Sequence, residues 1–265
     1  MQTNLKKLEN ESIFILRQAY RSIPNTALLW SLGKDSNVMV WLAFKAFLGK
    51  MPFPLVHVDT GKKFLEMYNF REKYEKLWNL RLIKEKCPPL SEIDPSLPPA
   101  ARSAARKTEG LKRIISKRKF KGIIAGIRRD EEGTRAKERV FSPRDDFGKW
   151  NVKNQPVEFW NQSNFNYPES VHVRIHPLLD WTELDIWHYI KQEKIPVVDL
   201  YFSKKGKRYR SLGDHDITFP VKSEASSIDE IIEELRTSKT SERSGRAMDH
   251  EEEHVFERLR SKGYM

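Results

Sequence analysis

Five residues able to hold an anion stand within six positions of one another: Ser31, Gly33, Lys34, Asp35 and Ser36 in the run Ser31-Leu32-Gly33-Lys34-Asp35-Ser36. Glycine lets a backbone turn tightly and come close to a ligand. Backbone N–H groups of such a turn, and of a helix that starts there, point at a phosphate, and the helix dipole adds attraction. Lys34 adds a point charge, and Ser31 and Ser36 add hydroxyl donors. The run is not a Walker A loop, because the earlier glycine is missing and Asp35 replaces the hydroxyl residue after the lysine. The same residues also suit an ordinary turn in which Asp35 or Ser36 caps a helix.

A second group is cationic: Arg128, Arg129, Arg135, Lys137 and Arg139. The planar guanidinium fork matches tetrahedral oxyanions. Arg128 and Arg129 are the leading candidates, with Asp130, Glu131 and Glu132 able to orient them; a solvated charged loop is the alternative. Asp59, before Thr60 and Gly61, can orient a divalent metal or simply make a turn. Arg243 and Arg246 suit a clamp on phosphates or an exposed helix end. His250 and His254 are four apart, which permits metal binding on one helix face, but with no third ligand a solvated face is the expectation.

The elements that must carry these residues follow from periodicity. Residues 4–22 have apolar positions at helical spacing. A short apolar run, 27–30, precedes the Ser31–Ser36 turn, and residues 37–48 read as a buried helix stopped by Gly49. Strands are expected at 54–58, 80–83, 122–127 and 171–175. Helices are expected at 64–79, at 108–119 with Thr108 as its cap, and at 181–192 with Thr182 as its cap. Residues 87–99 hold five prolines and read as a loop, and 141–170 as an excursion from the core. This alternation predicts an α/β fold: an open, mostly parallel twisted sheet with helices on both faces. Ligands then bind at the carboxyl ends of the strands. Residues 1–200 are expected to form the nucleotide-binding domain, and 201–265 a C-terminal extension folding over the site.

The chain has 265 residues and a net charge of +11. Arg102–Arg144 alone holds fifteen basic and five acidic residues, which favours a polyanion or a small oxyanion as ligand. No apolar run is long enough to span a membrane, and the N-terminus reads as an amphipathic helix rather than a signal peptide. A single cysteine, Cys87, excludes an internal disulfide and fits a reducing, cytoplasmic setting.

The motif SLGKDS resembles the PP-loop of the ATP pyrophosphatase superfamily, which also contains the phosphoadenylyl-sulfate reductases. The runs PFPLVHVDTGKKFLEMYNFRE, TEGLKR, GIRRDEEGTRAKER, PLLDWTELDIWHYI and TSERSGRAMD resemble one family within it, the small subunit of bacterial sulfate adenylyltransferase. The resemblance covers nearly the whole chain. It implies an adenine nucleotide alpha hydrolase-like fold and a nucleotidyltransferase that makes adenosine 5′-phosphosulfate and pyrophosphate from ATP and sulfate. It implies Mg²⁺ with the ATP, no redox cofactor, and a GTPase large subunit as partner.

On this reading Ser31, Gly33, Lys34, Asp35 and Ser36 hold the leaving pyrophosphate, and His57, Asp59 and Thr60 the nucleoside edge. Asp59 is the candidate for Mg²⁺. Arg128 and Arg129 take the sulfate or α-phosphate, with Arg135, Lys137 and Arg210 as further oxyanion candidates, and Arg243 and Arg246 clamp the phosphates.

The sequence departs from the family at Lys207–Val221, where Asp214-His215-Asp216 follows Gly213 in place of Cys-Trp-Pro. The rival readings are a sulfonucleotide reductase, which needs a thiolate near the C-terminus, a sulfur-inserting enzyme acting on RNA or DNA, and a non-catalytic polyanion binder. Neither a membrane nor nucleic acid is the expected partner.

Overall fold

The computed structural model describes residues 2–131, 135–145, 148–151, 153, 155, 156, 158, 165, 167, 171–238 and 242. Helix α1 (Gln2–Ser22) leads into strand β1 (Thr26–Leu29), whose four residues are all buried. Helix α2 (Lys34–Ala46), β2 (Leu55–Asp59), α3 (Leu65–Leu77) and β3 (Leu82–Lys86) complete two strand–helix–strand crossovers. After α4 (Pro99–Arg118) come β4 (Gly122–Ile124), β5 (Phe141–Arg144) and β6 (His172–Ile175). Helix α5 (Glu183–Glu193), the short strands β7 (Lys207–Arg208) and β8 (Val221–Lys222), and α6 (Ile228–Thr237) follow.

The main sheet has the order β3-β2-β1-β4-β6-β5. All its pairs are parallel except β5 with β6. Strand order reverses beside β1, which places β2 and β4 on either side of it and opens a crevice at their carboxyl ends. Gly122 permits the β1–β4 contact: a Cβ there would stand 3.0 Å from Ile23 Cγ2 and closer still to Thr26 Oγ1. Helices cover both faces, as the alternation predicted. Leu28, Trp30 and Leu55 face the large core shared with α1, α2 and α5, while Ala27, Leu29 and Val56 face Leu111 and Ile114 of α4. Leu212, Ala225, Ile231 and Ile232, from beyond residue 200, join the large core.

Three expectations change. Helix α4 begins at Pro99, nine residues before Thr108. Proline is well suited to the first helical position and the alanine-rich 100–105 run propagates it. Thr108 is therefore not a cap; its Oγ1 donates to Ala104 O at 3.0 Å inside the helix. The 141–170 stretch is not all excursion, since β5 pairs antiparallel with β6 and tolerates Pro143 because it is the edge strand. The β4 strand ends at Ile124; Ala125 N still donates to Ile175 O of β6 at 2.8 Å, and 126–127 extend past the sheet into the crevice. The cap of α5 is as read: Thr182 accepts from Asp185 N, and the Asp185 carboxylate accepts from Thr182 N at 3.0 Å. No helix among the described residues is long and apolar enough to cross a membrane.

Candidate active site

The turn after β1 is strained at Leu32 and not at Gly33. Leu32 sits at φ 70°, the left-handed region that costs a side-chain-bearing residue about 1–2 kcal/mol, and its side chain is fully buried. Gly33 has an extended conformation (φ −76°, ψ 165°) and is the N-cap of α2. Burial of Leu32 therefore fixes the turn, which corrects the expectation that glycine supplies it. Gly33 brings no side chain to the N-cap of α2, so no capping bond from that residue closes its start. Ser36 Oγ donates to Gly33 O at 2.9 Å, and Ser31 Oγ to Ser36 Oγ at 3.1 Å. Lys34 N donates to Tyr201 Oη at 2.9 Å, tying the turn to a short 3₁₀ turn at Asp199–Tyr201.

Above this turn lies a buried ion cluster. The Lys34 side chain is 1% exposed and pairs with Asp35 at 3.4 Å and with Glu242. Arg128 is fully buried and pairs with Asp35, with Glu242, and with Asp130 at 2.9 Å. One oxygen of Glu242 takes Lys34 and the other takes Arg128. Burial would raise the Glu242 pKa, but Arg128 and Lys34 outweigh it and hold the carboxyl well below the usual range. Asp130 reaches on to Glu183 N at 2.7 Å, and Glu183 accepts from Arg210 at 2.8 Å. Burial and the nearby Glu242 raise the Glu183 pKa.

The cleft runs from this cluster across the carboxyl ends of β1, β2 and β4. One side is apolar, with Leu29, Val56, Val58, Leu111 and Ile127, and suits a flat aromatic base. The other is polar, with Ser31, Gly33, Lys34, Ser36 and Glu242. His57 also borders it. Its Nδ1–H donates to Trp30 O at 2.9 Å, and burial pushes its pKa down to about 4, so the ring is neutral.

At the mouth, Asp214 is fully buried and gathers Thr60, Lys63, Ser103 and Lys107. Asp59 accepts from Gly61 N and Tyr68 Oη, both at 2.8 Å, and from Arg71 at 3.1 Å. Burial alone would raise its pKa, but these bonds hold it low.

The cleft thus brings together Ser31, Gly33, Lys34, Asp35, Ser36, His57 and Arg135, with Arg128 joined to it through Asp35 and Glu242. Arg128 and Arg129 part company. Arg129 turns away to Asp180 and to Glu138 O at 3.2 Å. Arg210 serves Glu183 at the outer edge of the cluster, and Lys137 is exposed. Arg135 is buried on Glu131 and borders the cleft. Arg243, Arg246, Glu132, His250 and His254 lie outside the described residues. Sequence reasoning missed Tyr201, Lys63, Lys107, Glu183, Asp214 and Glu242. Signals were present for three of them: Asp214 opens the Asp214-His215-Asp216 stretch singled out in the sequence, Lys63 stands in the DTGKKF run and Glu242 in the TSERSGR run.

Comparison with known proteins assigns the family. The phosphoadenosine phosphosulfate reductase domain matches residues 25–220. Sulfate adenylyltransferase subunit 2 of Pseudomonas savastanoi pv. phaseolicola is 41% identical, with 99% of this chain and 98% of that protein covered. The chain belongs to the sulfate adenylyltransferase subunit 2 family. Subunit 2 proteins of Saccharophagus degradans (41% identical, 99% of this chain and 97% of that protein) and Sulfurimonas denitrificans (40%, with the same coverage) agree. Among solved structures, Candida glabrata FMN adenylyltransferase superposes with a TM-score of 0.59 at 16% identity, over 92% of this chain and 88% of that one. A phosphoadenylyl-sulfate reductase from Candida auris gives 0.54 at 17% identity, over 82% and 96%. At these identities the structural likenesses carry the fold alone. This chain thus carries its turn, ion cluster and apolar slot on a sheet of the same fold as those two proteins.

Proposed function

We propose that this chain is the adenylyl-transferring subunit of a sulfate adenylyltransferase. A sulfate oxygen attacks the α-phosphorus of ATP, the bond to the β-phosphate oxygen breaks, and adenosine 5′-phosphosulfate and pyrophosphate result. The observation that carries this reading is the convergence of Lys34 and Arg128, from different strand ends, on one buried carboxylate beside an apolar slot. Two cations so placed form an oxyanion seat.

The chemistry asks for little else. Sulfate is a weak nucleophile and repels the triphosphate, so the protein must hold two anions side by side and meet the charge that collects on the leaving group. The N-terminus of α2, with Lys34 and Ser36, holds the departing pyrophosphate. Arg128, locked by Asp35 and Asp130, faces the α-phosphate and the incoming sulfate. Ser31, His57 and Thr60 border the nucleoside. Arg135 borders the cleft and Arg210, through Glu183, supports the edge of the seat, and Arg243 and Arg246 are proposed as further phosphate contacts. No protein nucleophile or general base is required.

Mg²⁺ accompanies ATP in such reactions, but Asp59 does not fit a direct ligand role here. Its oxygens are committed to Gly61 N, Tyr68 and Arg71. Among the described residues no group of three or more His, Cys, Asp or Glu is arranged to hold a metal.

Formation of the sulfuric–phosphoric anhydride is unfavourable, so a second subunit, a GTPase, drives it in this reading. The single cysteine fits a cytoplasmic setting. A reductase role is disfavoured by Cys87, whose thiol is pushed up to about 11 by burial and is not a ready nucleophile. The test is formation of adenosine 5′-phosphosulfate from ATP and sulfate, with and without the GTPase subunit. Product that needs sulfate supports the proposal; ATP turnover indifferent to sulfate overturns it.

A further inference from the structure

A second carboxylate, Asp214, gathers two lysines at the cleft mouth, apart from the Lys34–Arg128 seat. Asp214 is buried and accepts four donors, from two different walls. From the loop after β2, Thr60 Oγ1 reaches Oδ1 at 2.7 Å and Lys63 Nζ reaches it at 2.9 Å. From α4, Ser103 Oγ and Lys107 Nζ reach Oδ2, the lysine at 3.0 Å. A carboxylate has about four acceptor sites, so this one is saturated and is not itself available to a ligand. Lys63 and Lys107 both border the cleft, beside Val58 and Leu111 of the apolar slot. Two ammonium groups on one carboxylate leave a net positive charge at the mouth. Asp214 is also held in place from outside: His215 N donates to Lys62 O at 2.8 Å, and Lys62 pairs with Asp216 at 2.5 Å.

We infer that Asp214 is a positioning residue for the nucleotide. It fixes Lys63, from the loop after β2, and Lys107, from α4, at the mouth of the slot, so that their charges bear on ATP as it binds. Without Asp214 the two ammonium groups repel one another and swing into solvent. The Asp214-His215-Asp216 stretch thereby supplies its own latch. The inference rests on the reading that this cleft holds ATP.

The two lysines act on binding and stand apart from the Lys34–Arg128 seat where the bond is made. Loss of the hub therefore moves the KM for ATP and leaves kcat nearly alone. The experiment is steady-state kinetics of adenosine 5′-phosphosulfate formation by the assembled enzyme carrying Asp214→Asn, Lys107→Met, or both, with Lys34→Ala as reference. Asp214→Asn keeps the size of the side chain and removes its charge. The KM for ATP is expected to rise about tenfold in Asp214→Asn and several-fold in Lys107→Met, the loss typical of a charge-assisted contact. The KM for sulfate stays fixed, and the double variant is less than the product of the single ones. An ATP KM unchanged in a folded Asp214→Asn enzyme overturns the inference, since a purely structural latch lowers the melting temperature without moving KM. If Asp214→Asn does not fold, Lys107→Met decides alone, with an unchanged KM again overturning it. Lys34→Ala separates the two readings: full activity there removes the cleft itself, whereas its loss together with an unmoved Asp214→Asn removes only the positioning role.

Discussion

Lys34 and Glu242 form a buried ion pair across 208 positions of the chain. Each side chain is at most 4% exposed, and the same carboxylate also takes Arg128. A charge is buried only when it is matched, so the seat at the end of β1 is built for an anion and already holds one of the protein's own.

Glu242→Gln leaves Lys34 and Arg128 without that counter-charge. Breaking a buried pair from one side costs about 3–5 kcal/mol, so the melting temperature of the free protein drops. Pyrophosphate supplies the missing charge. It is expected to raise the melting temperature of Glu242→Gln more than that of the parent, because binding to the folded state stabilises by mass action. Equal shifts in a thermal-melt titration would show that pyrophosphate binds elsewhere.

Arg128 and Arg129 should separate in kinetics. Arg128→Ala is expected to lower kcat by about 10²–10³, the usual cost of losing a preorganised donor to developing charge. Arg128→Lys recovers part of it, lacking the fork that reaches Asp35 and Glu242 together. Arg129→Ala, which loses only Asp180 and Glu138 O, stays within a few-fold of the parent. Parallel assays of adenosine 5′-phosphosulfate formation check the split, and equal losses would contradict it.

Acid should destabilise the fold early. His57 and His176 are buried and neutral, with pKa values pushed down to about 4 by desolvation. Unfolded, each takes a proton below its ordinary value of about 6.5, so the unfolded state binds more protons between roughly pH 6.5 and 4. Stability is full above that window and falls as pH drops through it, by about 3 kcal/mol for His57 alone. Melting curves between roughly pH 7 and pH 4 check this, and His57→Gln is expected to flatten the slope. A melting temperature constant across the window would contradict neutral burial.

Much of the site's frame was legible because it is local. The apolar run 27–30, the turn and the helix after it are set by neighbouring residues, and Thr182 caps α5 through a residue three positions on. What escaped was non-local or ambiguous. Glu242 reaches Lys34 only after the whole sheet has formed. Arg128 and Arg129 differ by one position, yet the 3₁₀ turn at Arg129–Glu131 sends them to opposite sides, a choice no composition reveals. The proline-rich loop was read one residue too far, because its last proline, Pro99, is the first residue of α4. Gly33 suggested that glycine makes the tight turn, but the residue with positive φ is the buried Leu32.

The central claim is that the turn after β1 holds the two phosphates that leave together. A crystal structure with a non-hydrolysable ATP analogue tests it most directly. The expected result has the β- and γ-phosphates in hydrogen-bonding reach of the Gly33–Ser36 backbone and Lys34 Nζ, the base in the slot beside Leu29, Val56 and Leu111, and Glu242 displaced from the seat. A triphosphate lying elsewhere, with Glu242 still bridging Lys34 and Arg128, would contradict it.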